Sequence, residues 1–90
     1  MATAIVLLNV EAQKTAKIAE TIAAIPGVTE VYSVAGNYDL VAIVRVSDNE
    51  ALADIVTEQI RSVPGIRTSQ TLIAFRAYSS FDLASMFDID

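Results

Sequence analysis

The 90-residue chain contains no cysteine and no histidine. Without a thiol there is no disulfide framework and no cysteine nucleophile; without an imidazole there is no Ser-His or Cys-His relay, and the commonest soft metal ligands are missing together. The chain is therefore expected to carry no metal and no cofactor and not to be an enzyme. Bases are few as well: six Lys and Arg stand against eleven acids, a net charge of −5. Nucleic acid is held largely through counterion release at Lys and Arg, so no direct nucleic-acid contact is expected of this chain by itself. Long apolar runs are also missing. Ala4 to Leu8 is five residues before Asn9, with no basic stretch ahead of it. That is too short for a membrane span or a signal core, so no membrane contact and a cytoplasmic location are expected.

What the chain has in quantity is apolar side chain, 53% of residues against 19% charged. A domain of this size buries only about 60–65% of its unfolded surface, so it has little interior in which to hide them. The excess is expected at an interface between subunits.

Ala4-Ile5-Val6-Leu7-Leu8 is continuous and apolar, which reads as a central strand buried on both faces. From Lys14 to Ile25, Ile18, Ile22 and Ile25 recur at helical spacing with Lys14, Lys17 and Glu20 opposite; this predicts an amphipathic helix stopped by Pro26-Gly27. Val28 to Ala35 and Leu40 to Val46 read as two strands, joined by a turn at Gly36-Asn37, where both residues tolerate positive φ. Both sides of Leu40 to Val46 are mostly apolar, and a second subunit's sheet is the economical cover for the side that helices leave bare. Ser47-x-x-Glu50 fits a capping box and opens a second helix with Leu52, Ile55, Val56, Ile60 and Val63 as its stripe. Pro64-Gly65 stops it, and Ile66 to Tyr78 is the last extended segment.

The two Pro-Gly pairs lie 38 residues apart within matching sequences, Ile22-Ala23-Ala24-Ile25-Pro26-Gly27-Val28 and Ile60-Arg61-Ser62-Val63-Pro64-Gly65-Ile66. Two βαβ halves follow, and the expected class is α+β: a ferredoxin-like βαββαβ fold, a four-stranded antiparallel sheet with two helices on one face, of the dimeric α+β barrel type. The expected order puts the terminal strands in the middle and the hairpin strands at the edges. Residues 1–80 make the domain. Residues 81–90, Phe81 to Asp90, alternate apolar anchors with acids and are expected to dock on a neighbouring subunit.

One cluster has the chemistry of a site. Gly36-Asn37-Tyr38-Asp39 offers a turn whose backbone amides form an anion nest, beside a carboxylate that can hold an ammonium. Together these suit a zwitterion such as a free amino acid. The plainer reading is a hairpin turn capped by Asp39. Ser69, Gln70 and Thr71 supply hydroxyl and amide groups on the last strand, either as ligand contacts or as an ordinary exposed strand face. The tyrosines form no stacking platform, and the basic-aromatic strand motifs of RNA-binding relatives of this fold are missing.

At Ile60-x-x-Val63-Pro64-Gly65-Ile66 followed by Thr71, and at Val34-x-Gly36-x-Tyr38-Asp39-Leu40, the chain resembles the effector-binding (RAM) domain of the Lrp/AsnC transcription regulators. The likeness runs from about Ala4 to Ser80. It implies protomers whose sheets pack face to face into homodimers, dimers that assemble further, commonly to octamers, and a free amino acid as effector bound between dimers. By matching position, Gly36, Tyr38 and Asp39, with Asn37 between them, would form one wall of the ligand site, and Ser69 and Thr71 the other. In the family a helix-turn-helix domain precedes this module, whereas this chain begins directly on a strand. The expectation is a stand-alone binding and oligomerisation module, acting in transcription regulation or metabolic sensing through a partner such as a full-length Lrp/AsnC regulator. The alternatives are a purely structural hetero-oligomerisation module and a small enzyme of the dimeric α+β barrel type; the lack of histidine counts against the latter.

Overall fold

A computed structural model describes residues 1–78 and 80. Strand β1 (Ala2–Val10) leads through a 3₁₀ turn (Ala12–Lys14) into helix α1 (Thr15–Ala23). Strands β2 (Val28–Ser33) and β3 (Leu40–Val46) follow, then helix α2 (Asn49–Asp54) with a π-helical continuation (Ile55–Ile60), and strand β4 (Ile66–Ala74). The expected β-α-β-β-α-β order and the single antiparallel sheet with two helices are both present. The sheet order is β2-β3-β1-β4. This corrects the strand placement read from sequence: β1 and β3 are central, and the edges are β2 and β4. The hairpin keeps β2 beside β3, so only one of that pair reaches the centre. Each helical crossover then steps over a single strand, β3 in the first half and β1 in the second.

Burial in β1 alternates strictly. Ala2, Ala4, Val6, Leu8 and Val10 are buried, while Thr3, Ile5, Leu7 and Asn9 are half-buried. The strand is central as expected but not covered on both faces, because both helices lie on one side of an antiparallel sheet. On that side, Val6 and Leu8 with Leu40, Ala42 and Val44 of β3 meet Ile18 and Ile22 of α1 and Leu52, Ile55 and Ile60 of the second helical segment. On the other side, cross-strand pairing lines up Tyr32, Val41, Leu7 and Gln70 in one row and Glu30, Ile43, Ile5 and Leu72 in the next. This open face is apolar along its centre. Towards β2 it carries an Arg45–Glu30 ion pair at 3.7 Å and a hydrogen bond from the Tyr32 hydroxyl to Glu30. That bond, and then the charge of Glu30, raise the Tyr32 pKa above its ordinary value, which keeps the hydroxyl a donor.

Two local details differ from the sequence reading. The cap of α2 is Asp48, whose Oδ1 accepts from the Ala51 amide at 2.8 Å, rather than Ser47. Asp is at least as good a cap as Ser and sits one residue nearer the first helical turn. The second helix also widens to π geometry after Asp54, for a reason that lies in its apolar spacing. An α-helical spacing of four from Ile55 would bring Gln59 to the core, whereas the wider turn buries Ile60 and leaves Gln59 exposed. Thr57 Oγ1 donates back to the Ala53 carbonyl at 2.6 Å, a bond that often bends a helix. The last strand ends at Ala74, short of Tyr78. The C-terminal segment 81–90 lies outside the described residues, and no helix among those described is long and apolar enough to cross a membrane.

The repeated Pro-Gly pairs lock the two halves together. Gly27 (φ +100°) follows α1, and a Cβ there would lie 2.5 Å from Ile55 Cδ1 and 2.8 Å from Val46 Cγ1. Gly65 (φ +96°) follows the second helix, and its Cβ would lie 2.7 Å from Ile18 Cδ1 of α1. Each turn also accepts a backbone bond from the far half, Gly27 O from Arg45 N and Gly65 O from Glu11 N, both at 2.9 Å. Gly27→Ala and Gly65→Ala should therefore each destabilise by about 2–4 kcal/mol, combining left-handed backbone strain with overpacking. Gly36, with φ +120° but nothing within 4 Å of a Cβ, should lose less on the same change. Urea titration of the three variants checks the ranking.

Candidate functional site

The loop between β2 and β3 spans Val34 to Asp39 and closes with Val34 N donating to Asp39 O at 3.0 Å. It is longer than a two-residue turn, and only Gly36 takes positive φ; Asn37 does not. Both residues are exposed at its tip, and Tyr38 and Asp39 are half-buried at its base.

Asp39 binds the loop to the end of β1. Its amide donates to the Leu8 carbonyl, and its Oδ2 accepts from the Val10 amide, both at 2.9 Å. The side chain thus satisfies a backbone donor that β3 no longer reaches, just where β1 and β4 shift register between Asn9 and Val10. Asp39 does act as a cap, but for a neighbouring strand rather than for its own turn. A carboxylate has about four acceptor positions and this bond uses one, so the group retains capacity for an ammonium. Tyr38 reaches the sheet edge, where its hydroxyl donates to Gln70 Oε1 at 2.6 Å; beside it Asn9 Nδ2 donates to Thr68 Oγ1 at 3.0 Å. The result is a polar corner built from Asn9, Tyr38, Asp39, Thr68 and Gln70 at the end of β1.

Ser69 and Thr71 stand on the other side of β4. They pair with Leu8 and Val6, whose side chains face the helices, whereas Gln70 pairs with Leu7 on the open face. Thr71 lines an apolar cleft of ≈ 340 Å³ with Leu52, Val56 and Ile73. Within one protomer the structure thus brings Tyr38 to Gln70 on the open face, holds Asp39 on β1, and leaves Ser69 and Thr71 on the opposite face of β4. Asn9 and Thr68 were not anticipated; the alternation of β4 would have put Thr68 on the same face as Gln70, but only the strand register shows Asn9 opposite it.

The sequence profile of the Lrp/AsnC ligand binding domain matches residues 3–82. The chain belongs to this family. An uncharacterised helix-turn-helix transcriptional regulator of Pyrococcus horikoshii, PH1916, is 42% identical over 59 residues, covering 66% of this chain and 39% of its own. The regulator FL11 of the same organism is 32% identical over 75 residues, covering 83% and 49%. This Lrp/AsnC domain therefore spans less than half the length of these curated relatives. Among solved structures, TTHA0845 from Thermus thermophilus superposes with a TM-score of 0.82 at 49% identity, over 88% of this chain and 99% of that one. Escherichia coli AsnC (TM-score 0.81, 18% identity, 91% and 56% coverage) shares the fold. So does the Neisseria meningitidis regulator NMB0573, solved as a complex with L-Met (TM-score 0.73, 17% identity, 94% and 58% coverage).

The bond from Val10 to Asp39 separates two roles of this carboxylate. Asp39→Ala should lower stability by about 1–3 kcal/mol by leaving a part-buried amide without an acceptor. Asp39→Asn keeps an acceptor oxygen and should retain most of that stability, as chemical denaturation of the two variants would show.

Proposed function

We propose that the chain is an amino-acid-binding and oligomerisation module of the Lrp/AsnC type, which acts in transcription regulation or metabolic sensing through a partner and does not itself contact DNA. The observation that carries this reading is the polar corner: an exposed glycine turn beside a carboxylate whose position is held from two sides by β1. The exposed amides around Gly36 suit an α-carboxylate, and Asp39 suits an α-ammonium. Asn37 and Tyr38 complete that wall. Ser69 and Thr71 of another copy supply the second, so the ligand bridges subunits. Such a ligand shifts assembly by its differential affinity for the joined state. The L-Met complex of the Neisseria regulator supports a free amino acid as the class of ligand.

Assembly begins with a homodimer formed by the open sheet faces, since Ile5, Leu7, Val41, Ile43 and Leu72 form a surface that no helix of the same protomer covers. Further association, to an octamer in the full form, brings the β2–β3 loop of one dimer to β4 of the next. The net charge of −5 supports action through a DNA-binding partner, for which a full-length Lrp/AsnC regulator is the natural candidate. The same open face favours one second reading, a structural module that joins such a regulator without binding a ligand.

Ile43→Asp should convert the dimer to monomer, because an unpaired carboxylate would be buried in the interface. Light scattering at micromolar concentration reads the result, and a wild-type monomer would refute the face-to-face dimer. Calorimetry against the twenty amino acids tests the ligand. At least one should bind, and Asp39→Asn should weaken it by about 1.5–3 kcal/mol, roughly 10–150-fold in Kd, with the fold intact. Heat from none of them leaves the loop a turn and favours the structural module.

A further inference from the structure

Residues 81–90 carry three of the eleven acids and none of the six bases, and they alternate these acids with Phe81, Leu83, Phe87 and Ile89. The family profile ends at residue 82, so most of this segment lies beyond its match. Its chemistry has a counterpart in the structure. Beyond β4 the chain continues past the end of the sheet, and a cleft of ≈ 510 Å³ opens there between Met1, Thr3, Arg45, Ala74, Phe75 and Arg76. Met1 is 94% and Phe75 96% exposed, an unusual position for two large apolar side chains flanked by two arginines.

We propose that residues 81–90 of one copy dock into this cleft on a second copy, with the apolar residues against Met1 and Phe75 and the aspartates on Arg45 and Arg76. The inference rests on the face-to-face pairing proposed above. Thr3 and Arg45 belong to the open face, so the cleft lies at the rim of that proposed interface. Phe75, Arg76 and Ala77 line the cleft themselves, and Phe75 and Tyr78 are almost fully exposed, so the segment that follows starts from an exposed rim of the cleft. Two-fold pairing makes the exchange reciprocal: each copy gives one segment and receives one. Arginine suits the role because its planar fork meets carboxylates in a bidentate manner while its stem packs on apolar groups. The exchange pairs a base-free acidic segment with two arginines.

Because the chain has no cysteine, single engineered thiols report the contact without background. Full-length Ala74→Cys and Phe87→Cys proteins are mixed, equilibrated and oxidised, and the products are identified by mass. The expected product is a disulfide joining one chain of each kind, formed well above the yield of a control pairing Phe87→Cys with Thr21→Cys on α1. Adding Arg76→Glu to the Ala74→Cys chain should slow its formation several-fold, and adding Asp88→Arg to the Phe87→Cys chain should restore it. Yield no greater than the control, a rate indifferent to Arg76→Glu, or a disulfide closing within single chains of the Ala74→Cys/Phe87→Cys double variant would each overturn the proposal. Light scattering on the wild type tells this failure from that of the face pairing: a dimer without the cross-link removes the docked segment alone, and a monomer removes both.

Discussion

Each helical crossover in this chain steps over one strand, and the placement of everything else depends on that constraint. The first half skips a lane that β3 fills, and the second skips one that β1 fills, so two halves that are continuous in sequence interleave in space. Right-handed crossovers then put both helices on one side. The apolar alternation of β1 and β3 divides accordingly, one set of side chains beneath the helices and the other on an open face. The Pro-Gly turns are tied to the same interleaving, because each emerges beside the helix of the other half and presses on Ile55 or Ile18. A methyl group at either turn would meet a core isoleucine, which is a packing reason for glycine beyond the backbone's need for a left-handed residue.

The interleaving also builds the candidate site. With β3 beside β1, the loop that precedes β3 arrives at the end of β1, where Asp39 meets the amide of Val10. A side chain that completes the pairing of a central strand is held more firmly than one that merely caps an exposed turn, and a recognition group gains from such support. The structural role of this carboxylate leaves room for the proposed recognition role. The carboxylate can accept from Val10 with one oxygen and still present negative charge to a ligand, so strand end and ligand would share one group.

The division of β4 between two faces has a comparable consequence for assembly. Gln70 shares the open face with Leu7, while Ser69 and Thr71 turn towards the helices. Polar groups adjacent in sequence are therefore offered to different neighbours. One set would face a subunit stacked on the sheet as proposed; the other faces whatever lies beside β4 and α2. A ligand gripped by both the β2–β3 loop and Thr71 belongs to no single protomer, and binding would then be inseparable from the oligomeric state.

Much of this protein is written in local pattern. The spacing of Ile18, Ile22 and Ile25, the apolar run in β1, the repeated Pro-Gly stops and the Gly36 turn each express a preference that acts over a few residues, and from them the six elements, their order and the family likeness all follow. What local pattern could not supply was anything decided between distant segments. Which strands lie at the centre depends on how two crossovers share space. Whether Ser47 or Asp48 caps α2 depends on where β3 releases the chain. Ile55 and Ile60 are five apart, and only the core between them requires a π turn to bury both. Asp39 was legible as a carboxylate beside a glycine turn, but its partner, the Val10 amide, lies 29 residues away in sequence and was found only through the fold. Hydrogen-bond acceptors can be recognised from composition; the donors they meet are chosen by tertiary packing, since a strand's unsatisfied amide appears only after its neighbours have taken their places.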